Sequence, residues 1–209
     1  LLSLVGEPLV APIFAVTDAS GSLMRKKLAP ALDPAFAAIK ALGIAKITRS
    51  KRIWIVFDTF TLGTFPQRLE SLVINLSDKQ LDTRYREGGW TVRQVIHHLA
   101  DSHHHSYIRF KWALTEDKPT IKFYYEQDWA ELADAKYAPI ALSLEHLKAV
   151  HAKLVYLLRS LSEVDLNKSF IHPEHNEEVV LKRNVGIYAW HSNHHYSHIE
   201  NLMKRNNWL

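Results

Sequence analysis

Cysteine is absent from the 209 residues. That absence removes disulfides, thiolate metal ligands and a thiol nucleophile, so any metal must be held by nitrogen and oxygen. Long apolar runs are missing too. The Leu-rich opening from Leu1 to Val16 lacks a basic leader, contains Glu7, Pro8 and Pro12, and is too short to span a bilayer. No later window offers about twenty uninterrupted apolar residues. These features predict neither signal nor anchor, no membrane partner and a cytoplasmic location. A concentrated patch of one charge is also missing. The net charge of +4 arises before Thr64, where Arg25, Lys26, Lys27, Lys40, Lys46, Arg49, Lys51 and Arg52 outnumber Glu7, Asp18, Asp33 and Asp58. This excess forms no helical stripe, aromatic platform or arginine-rich arm, so it reads as solvated surface and nucleic acid is not an expected partner.

What is present describes a chain able to bury a core: 47% of its residues are apolar and aromatics are plentiful. Its length suggests one core with an appendage. Gly and Pro punctuate the first third, where Pro34 to Ala45 is the only helical-looking run and the alternation from Ile53 to Asp58 suggests a short strand. From Phe65 the texture changes to long periodic runs separated by short capped breaks, the pattern of antiparallel helices.

Four such runs can be placed. The first ends at Leu76, and Ser77 with Gln80 forms a capping-box signature. The second opens after Gly88-Gly89-Trp90 with Thr91 as N-cap, and carries Val92, Val95, Ile96, Leu99, Tyr107, Phe110 and Leu114 at helical spacing. The third follows Pro139 with a stripe through Leu144, Leu147, Val150, Leu154, Leu158 and Leu161. The fourth starts near Val179 and carries Leu181, Val185, Tyr188, Ile199 and Leu202. The segment Leu76 to Asp82 is echoed by Leu161 to Asn167. Each follows a long helix and precedes a histidine-bearing one, which predicts two helical hairpins joined by a crossover over Thr115 to Leu142.

Histidine is the abundant chemical residue, with 13 copies. The fourth run offers His191 with His195 and His194 with His198, both at the i,i+4 spacing that brings two rings to one ion. Turning about 100° per residue from Leu181 puts His195 inside the apolar stripe and His191 at its edge, which favours that pair. Ser192 follows His191, so this is not the H-E-x-x-H arrangement of metalloproteases. The second run offers His97, His98, His103, His104 and His105. The wheel makes His103 the most buried, sets His98 on a flank and turns His97 away. It does not choose between His98 and His103 as a ligand. The alternative reading of His103 is a core histidine with a hydrogen-bond partner, and for His151 that core reading is favoured over a catalytic role. His146, His172 and His175 read as surface or loop residues.

The run from Leu81 to His103, LDTRYREGGWTVRQVIHHLADSH, continuing to Tyr107-Ile108-Arg109-Phe110-Lys111, resembles the YfiT-like branch of the DinB superfamily. So do Leu114-Thr115-Glu116-Asp117, His172-Pro173-Glu174 and Tyr188-Ala189-Trp190-His191-Ser192-Asn193-His194-His195. The likeness extends from about Phe65 to Trp208. It implies an all-α, up-down-down-up four-helix bundle over residues 64–209, preceded by an atypical segment over residues 1–63, and a homodimer. It also implies a divalent metal held by His98, His191 and His195, zinc by default with nickel as an alternative. The resemblance thus selects His98 where the wheel was indifferent. One departure is His104-His105, where Met-Asn is expected, with His105 on the His98 side.

Three neutral imidazoles leave the ion's charge uncompensated and a coordination position open, as in catalytic sites. The leading expectation is a metal-dependent hydrolase acting on a small molecule through activated water. The alternatives are transfer of an external low-molecular-weight thiol such as bacillithiol, and a non-enzymatic metal-binding protein. Tyr188, one turn before His191, and Arg109 are the candidate catalytic partners, whereas Asp101 reads as solvated.

Overall fold

The computed structural model describes residues 52–174 and 176–209, so the helical reading of Pro34 to Ala45 and the placement of His175 lie outside the described residues. Four long helices dominate: α1 (Arg52–Val73), α3 (Val92–Thr115), α6 (Ile140–Ser160) and α8 (Leu181–Arg205). Between them lie the short helices α2 (Asp78–Leu81), α4 (Glu126–Ala130), α5 (Ala133–Tyr137) and α7 (Glu163–Leu166). The capping signatures explain the breaks. Ser77 with Gln80 starts α2, Thr91 with Gln94 starts α3, and Ser162 with Asp165 starts α7, each closing a reciprocal capping box.

Side-chain partners give the helix directions. Along α3 and α6 the pairs His97–Ser143 and His104–His146 advance together, so these helices run parallel. Along α3 and α8 the pairs His98–His191 and Ser106–Asn184 advance oppositely, so these run antiparallel. A parallel pair in sequence needs a long connection, and the crossover between Thr115 and Ile140 supplies it through α4 and α5. The result is the expected up-down-down-up bundle.

Two departures from the sequence reading are local. Ile53 to Asp58 lies within α1 rather than in a strand. An alternation of only six residues is too short to override a helix that continues to Val73. A small antiparallel hairpin, β1 (Ser169–His172) and β2 (Glu177–Val180), precedes α8 and starts it two residues later than expected. No helix among the described residues is long and apolar enough to cross a membrane.

The core is divided along the bundle axis. One apolar cluster gathers Phe65, Leu69, Val95, Leu99, Leu147 and Ile199; the other gathers Leu62, Phe110, Leu154, Phe170 and Val185. In α3, α6 and α8 the histidines fall between the two in sequence: His103 between Leu99 and Phe110, His151 between Leu147 and Leu154, His191 between Val185 and Ile199. The bundle therefore carries a layer of imidazoles in its middle. Polar groups survive such burial only if each finds a partner.

Candidate metal centre

His98 on α3 and His191 and His195 on α8 each offer one ring nitrogen, and the three nitrogens lie within 4.8 Å of one another. The ring centroids are 5.3 Å apart for His98 and His191, 5.0 Å for His98 and His195, and 4.5 Å for His191 and His195. The Nε2 atoms of His98 and His191 face each other at 3.2 Å. Two nitrogens bound to one tetrahedral zinc at about 2.0–2.1 Å would be about 3.3 Å apart. Trp90, which follows the Gly88-Gly89 turn, packs on His98 at 4.6 Å and parallel to His195 at 6.4 Å, forming one wall of the cluster.

The protonation chemistry suits a cation. Burial pushes the pKa of all three rings well below the ordinary histidine value, and neighbouring histidines add to the effect: His195 on His98, His98 and His194 on His191, and His191, His194 and His198 on His195. All three are thus neutral near pH 7, each with a lone pair to give. The Nδ1 of His195 is buried without a hydrogen-bond partner among the described residues. A set of neutral nitrogen donors converging on one point fits a borderline-soft divalent ion.

His103 is fully buried but belongs to a different layer of contacts. Its Nε2 faces His191 Nδ1 at 3.1 Å and its Nδ1 faces His151 Nε2 at 2.8 Å. His151 Nδ1 in turn reaches the Leu62 carbonyl at 2.5 Å. That carbonyl is available because its helical partner, four residues on, is Pro66, which has no N–H. A carbonyl only accepts, so His151 must carry its proton on Nδ1. Each neutral ring then has one proton, which fixes the rest in order. His103 donates from Nδ1 to His151, His191 donates from Nδ1 to His103, and His191 Nε2 is left bare, facing His98. Phe65 packs against both inner rings, 6.0 Å from His103 and 5.8 Å from His151. The reading of His103 and His151 as hydrogen-bonded core residues thus stands, and their partners form one chain ending at the three-histidine cluster. Periodicity could not reveal that chain, although Pro66 inside a helical run was a visible cue that a carbonyl lacked its donor.

The other candidates are distributed around this centre. Tyr188 packs against the edge of His103 at 4.9 Å and near His191 at 5.6 Å, and its hydroxyl accepts from Arg109 Nη1 at 3.4 Å. His105 stacks on Tyr124 at 4.3 Å, which directs it to the crossover rather than into the three-ring cluster. His97 is buried despite pointing off the apolar stripe, because Ser143 of α6 and the Ala138 carbonyl of the crossover cover it. His172 is buried on β1, not a surface residue. Asp101 is half-buried rather than solvated, and burial followed by Asp134 lifts its pKa to about 6. His194 and His198 pair with each other at 3.0 Å outside the cluster.

The depressed imidazoles predict a pH dependence. Unfolded histidines titrate near 6.5, whereas burial holds His151 down to about 4 and the cluster rings well below their ordinary value. Below pH 6.5 the unfolded chain binds more protons, so this stability is complete above 6.5 and is lost as pH falls toward about 4. Asp58 and Asp101, each raised to about 6, oppose the trend but are outnumbered. Thermal melts of the metal-free protein between pH 7 and pH 4.5 should show a steadily falling Tm. A flat profile would show that these rings are not held neutral.

Comparison with known proteins places this geometry. The family model described as the DinB superfamily matches residues 61–199. A protein of Oceanobacillus iheyensis named "Putative metal-dependent hydrolase" is 52% identical over 143 residues, covering 68% of this chain and 82% of that protein. A Bacillus cereus protein of the same name is 54% identical over 143 residues, again with 68% and 82% covered. Among solved structures, YfiT from Bacillus subtilis, described as "a probable metal-dependent hydrolase with an unusual four-helix bundle topology", superposes with a TM-score of 0.73 at 44% identity. The match covers 78% of this chain and 93% of that one.

Proposed function

The chain belongs to the DinB superfamily, and from that premise we propose that His98, His191 and His195 hold one divalent cation, zinc by preference and nickel as an alternative, in a hydrolase of small molecules. The observation that carries this reading is the convergence of three neutral imidazole nitrogens within 4.8 Å. Such a donor set leaves the ion's double charge uncompensated and a position open. The bound ion supplies Lewis acidity and lowers the pKa of water to about 7. The names of the relatives, metal-dependent hydrolases, agree with it.

The protein's own groups set the conditions. Trp90 walls the cluster on the α3 side and limits its exposure to bulk water. His103 and His151 hold His191 in the tautomer whose Nε2 is bare. The Tyr188 hydroxyl, held by Arg109, is a candidate for donating a hydrogen bond to a bound substrate. Thiol transfer shares the same physics, since an uncompensated cation also stabilises a thiolate, and a chain without cysteine would take that thiol from solution.

The test is a substrate panel of esters, amides and lactones on zinc- and nickel-loaded protein, run with and without a low-molecular-weight thiol and an electrophile. Hydrolysis that disappears in His195→Ala supports the reading. Turnover only with thiol plus electrophile replaces hydrolysis by transfer, and no turnover in either arm despite tight metal binding leaves a metal-binding protein.

A further inference from the structure

Arg109 and Arg93 lie on the same helix and are almost equally buried, at 7% and 6% exposed, yet their surroundings are opposite. Arg93 is matched on every side. It donates to Asp82 at 2.7 Å, to Asp78 at 2.8 Å and to the Ala138 carbonyl at 3.2 Å. Arg109 pairs with no carboxylate among the described residues. Its Nη1 donates to the Tyr188 hydroxyl at 3.4 Å, a long bond, and its Nε is buried without a partner among the described residues.

A guanidinium cannot shed its proton to escape burial, so an uncompensated one is costly to hold away from water. Nε is also half of the edge through which arginine takes a carboxylate in a two-pronged hydrogen bond. Tyr188 connects the position to the three-histidine cluster: its hydroxyl accepts from Arg109 and its ring is 5.6 Å from that of His191, while Arg109 itself lies about 16 Å of helix beyond His98 on α3. His105, one turn before Arg109, stacks on Tyr124 beside it and carries no negative charge to neutralise it.

We propose that Arg109 is an anion-binding residue, and that the substrate carries a carboxylate that pairs with it while the reacting end lies at the three-histidine cluster. The substrate class thereby narrows to small carboxylic acids and their derivatives that keep one free carboxylate. This assignment rests on the metal reading for the second half of the statement, but not for the first. Carboxylate binding by Arg109 requires no metal.

The experiment uses acetate and succinate as probes on metal-free full-length protein, with ionic strength held constant by chloride, and reads the melting temperature. Wild type should show a saturable rise in Tm with either carboxylate. Arg109→Met, which replaces the charge by an apolar chain, should melt higher than wild type without carboxylate and show no response to it. Arg109→Lys, which keeps the charge but not the fork, should show a response at several-fold higher carboxylate concentration. The same rise in Arg109→Met as in wild type, or no rise in wild type, overturns the assignment. Repeating the titration in His98→Ala/His195→Ala separates the two readings. A response that persists there belongs to Arg109, and one that vanishes with the metal ligands belongs to the cluster and also overturns the assignment.

Discussion

His98→Ala should sharply weaken metal binding while leaving the bundle folded. A zinc site with four protein ligands has an apparent binding free energy of roughly 10–16 kcal/mol, so one ligand carries roughly 3 kcal/mol. Its loss therefore weakens binding on the order of a hundredfold or more. The same is expected of His191→Ala and His195→Ala, because the three nitrogens close on one point and no fourth histidine among the described residues joins them. His194→Ala and His198→Ala are the controls. Their rings pair with each other outside the cluster, and their loss should leave the tight site intact. Competition with a chelator of known affinity gives the affinities, and circular dichroism checks the fold. Equal metal affinity in His98→Ala and wild type would remove His98 from the site.

His103→Leu should weaken metal binding tenfold to a hundredfold, the usual range for an outer partner of a ligating histidine, without changing the one-to-one stoichiometry. His103 does not belong to the ligand cluster, so the effect has to pass through His191. With no acceptor at Nδ1, His191 can place its proton on either nitrogen, and the form with Nε2 bare is no longer enforced. His103→Leu also strands His151 Nε2, and an unsatisfied buried group of this kind costs about 1–3 kcal/mol of stability. His103→Gln separates the two losses. Its amide oxygen can accept from His191 in place of Nε2, so metal affinity should recover more fully than stability does. If His103→Gln and His103→Leu bind metal equally, the chain supports packing and does not set the tautomer.

What was legible in the sequence divides by physical cause. Helix starts were readable because capping is local: Thr91 and Gln94 need only each other, and the structure pairs them as expected. The azimuth of His191 and His195 was readable for a similar reason, since it follows from residues on one helix. The choice between His98 and His103 was not. Both face inward from α3, and what separates them is which ring of α8 each one meets, His98 at Nε2 of His191 and His103 at its Nδ1. The hairpin before α8 was missed because four-residue strands give too few alternations to read. His97 and His172 were placed outside for want of the segments that cover them, a long-range fact that no single helix wheel contains.

The most direct test of the account is X-ray absorption at the metal edge of protein carrying one equivalent of zinc. Three imidazole nitrogens are expected at about 2.0–2.1 Å with their characteristic outer-shell scattering, together with a further light atom from water. His98→Ala should change that first shell. A shell dominated by carboxylate oxygen, or a spectrum that His98→Ala leaves unaltered, would contradict a centre built from His98, His191 and His195.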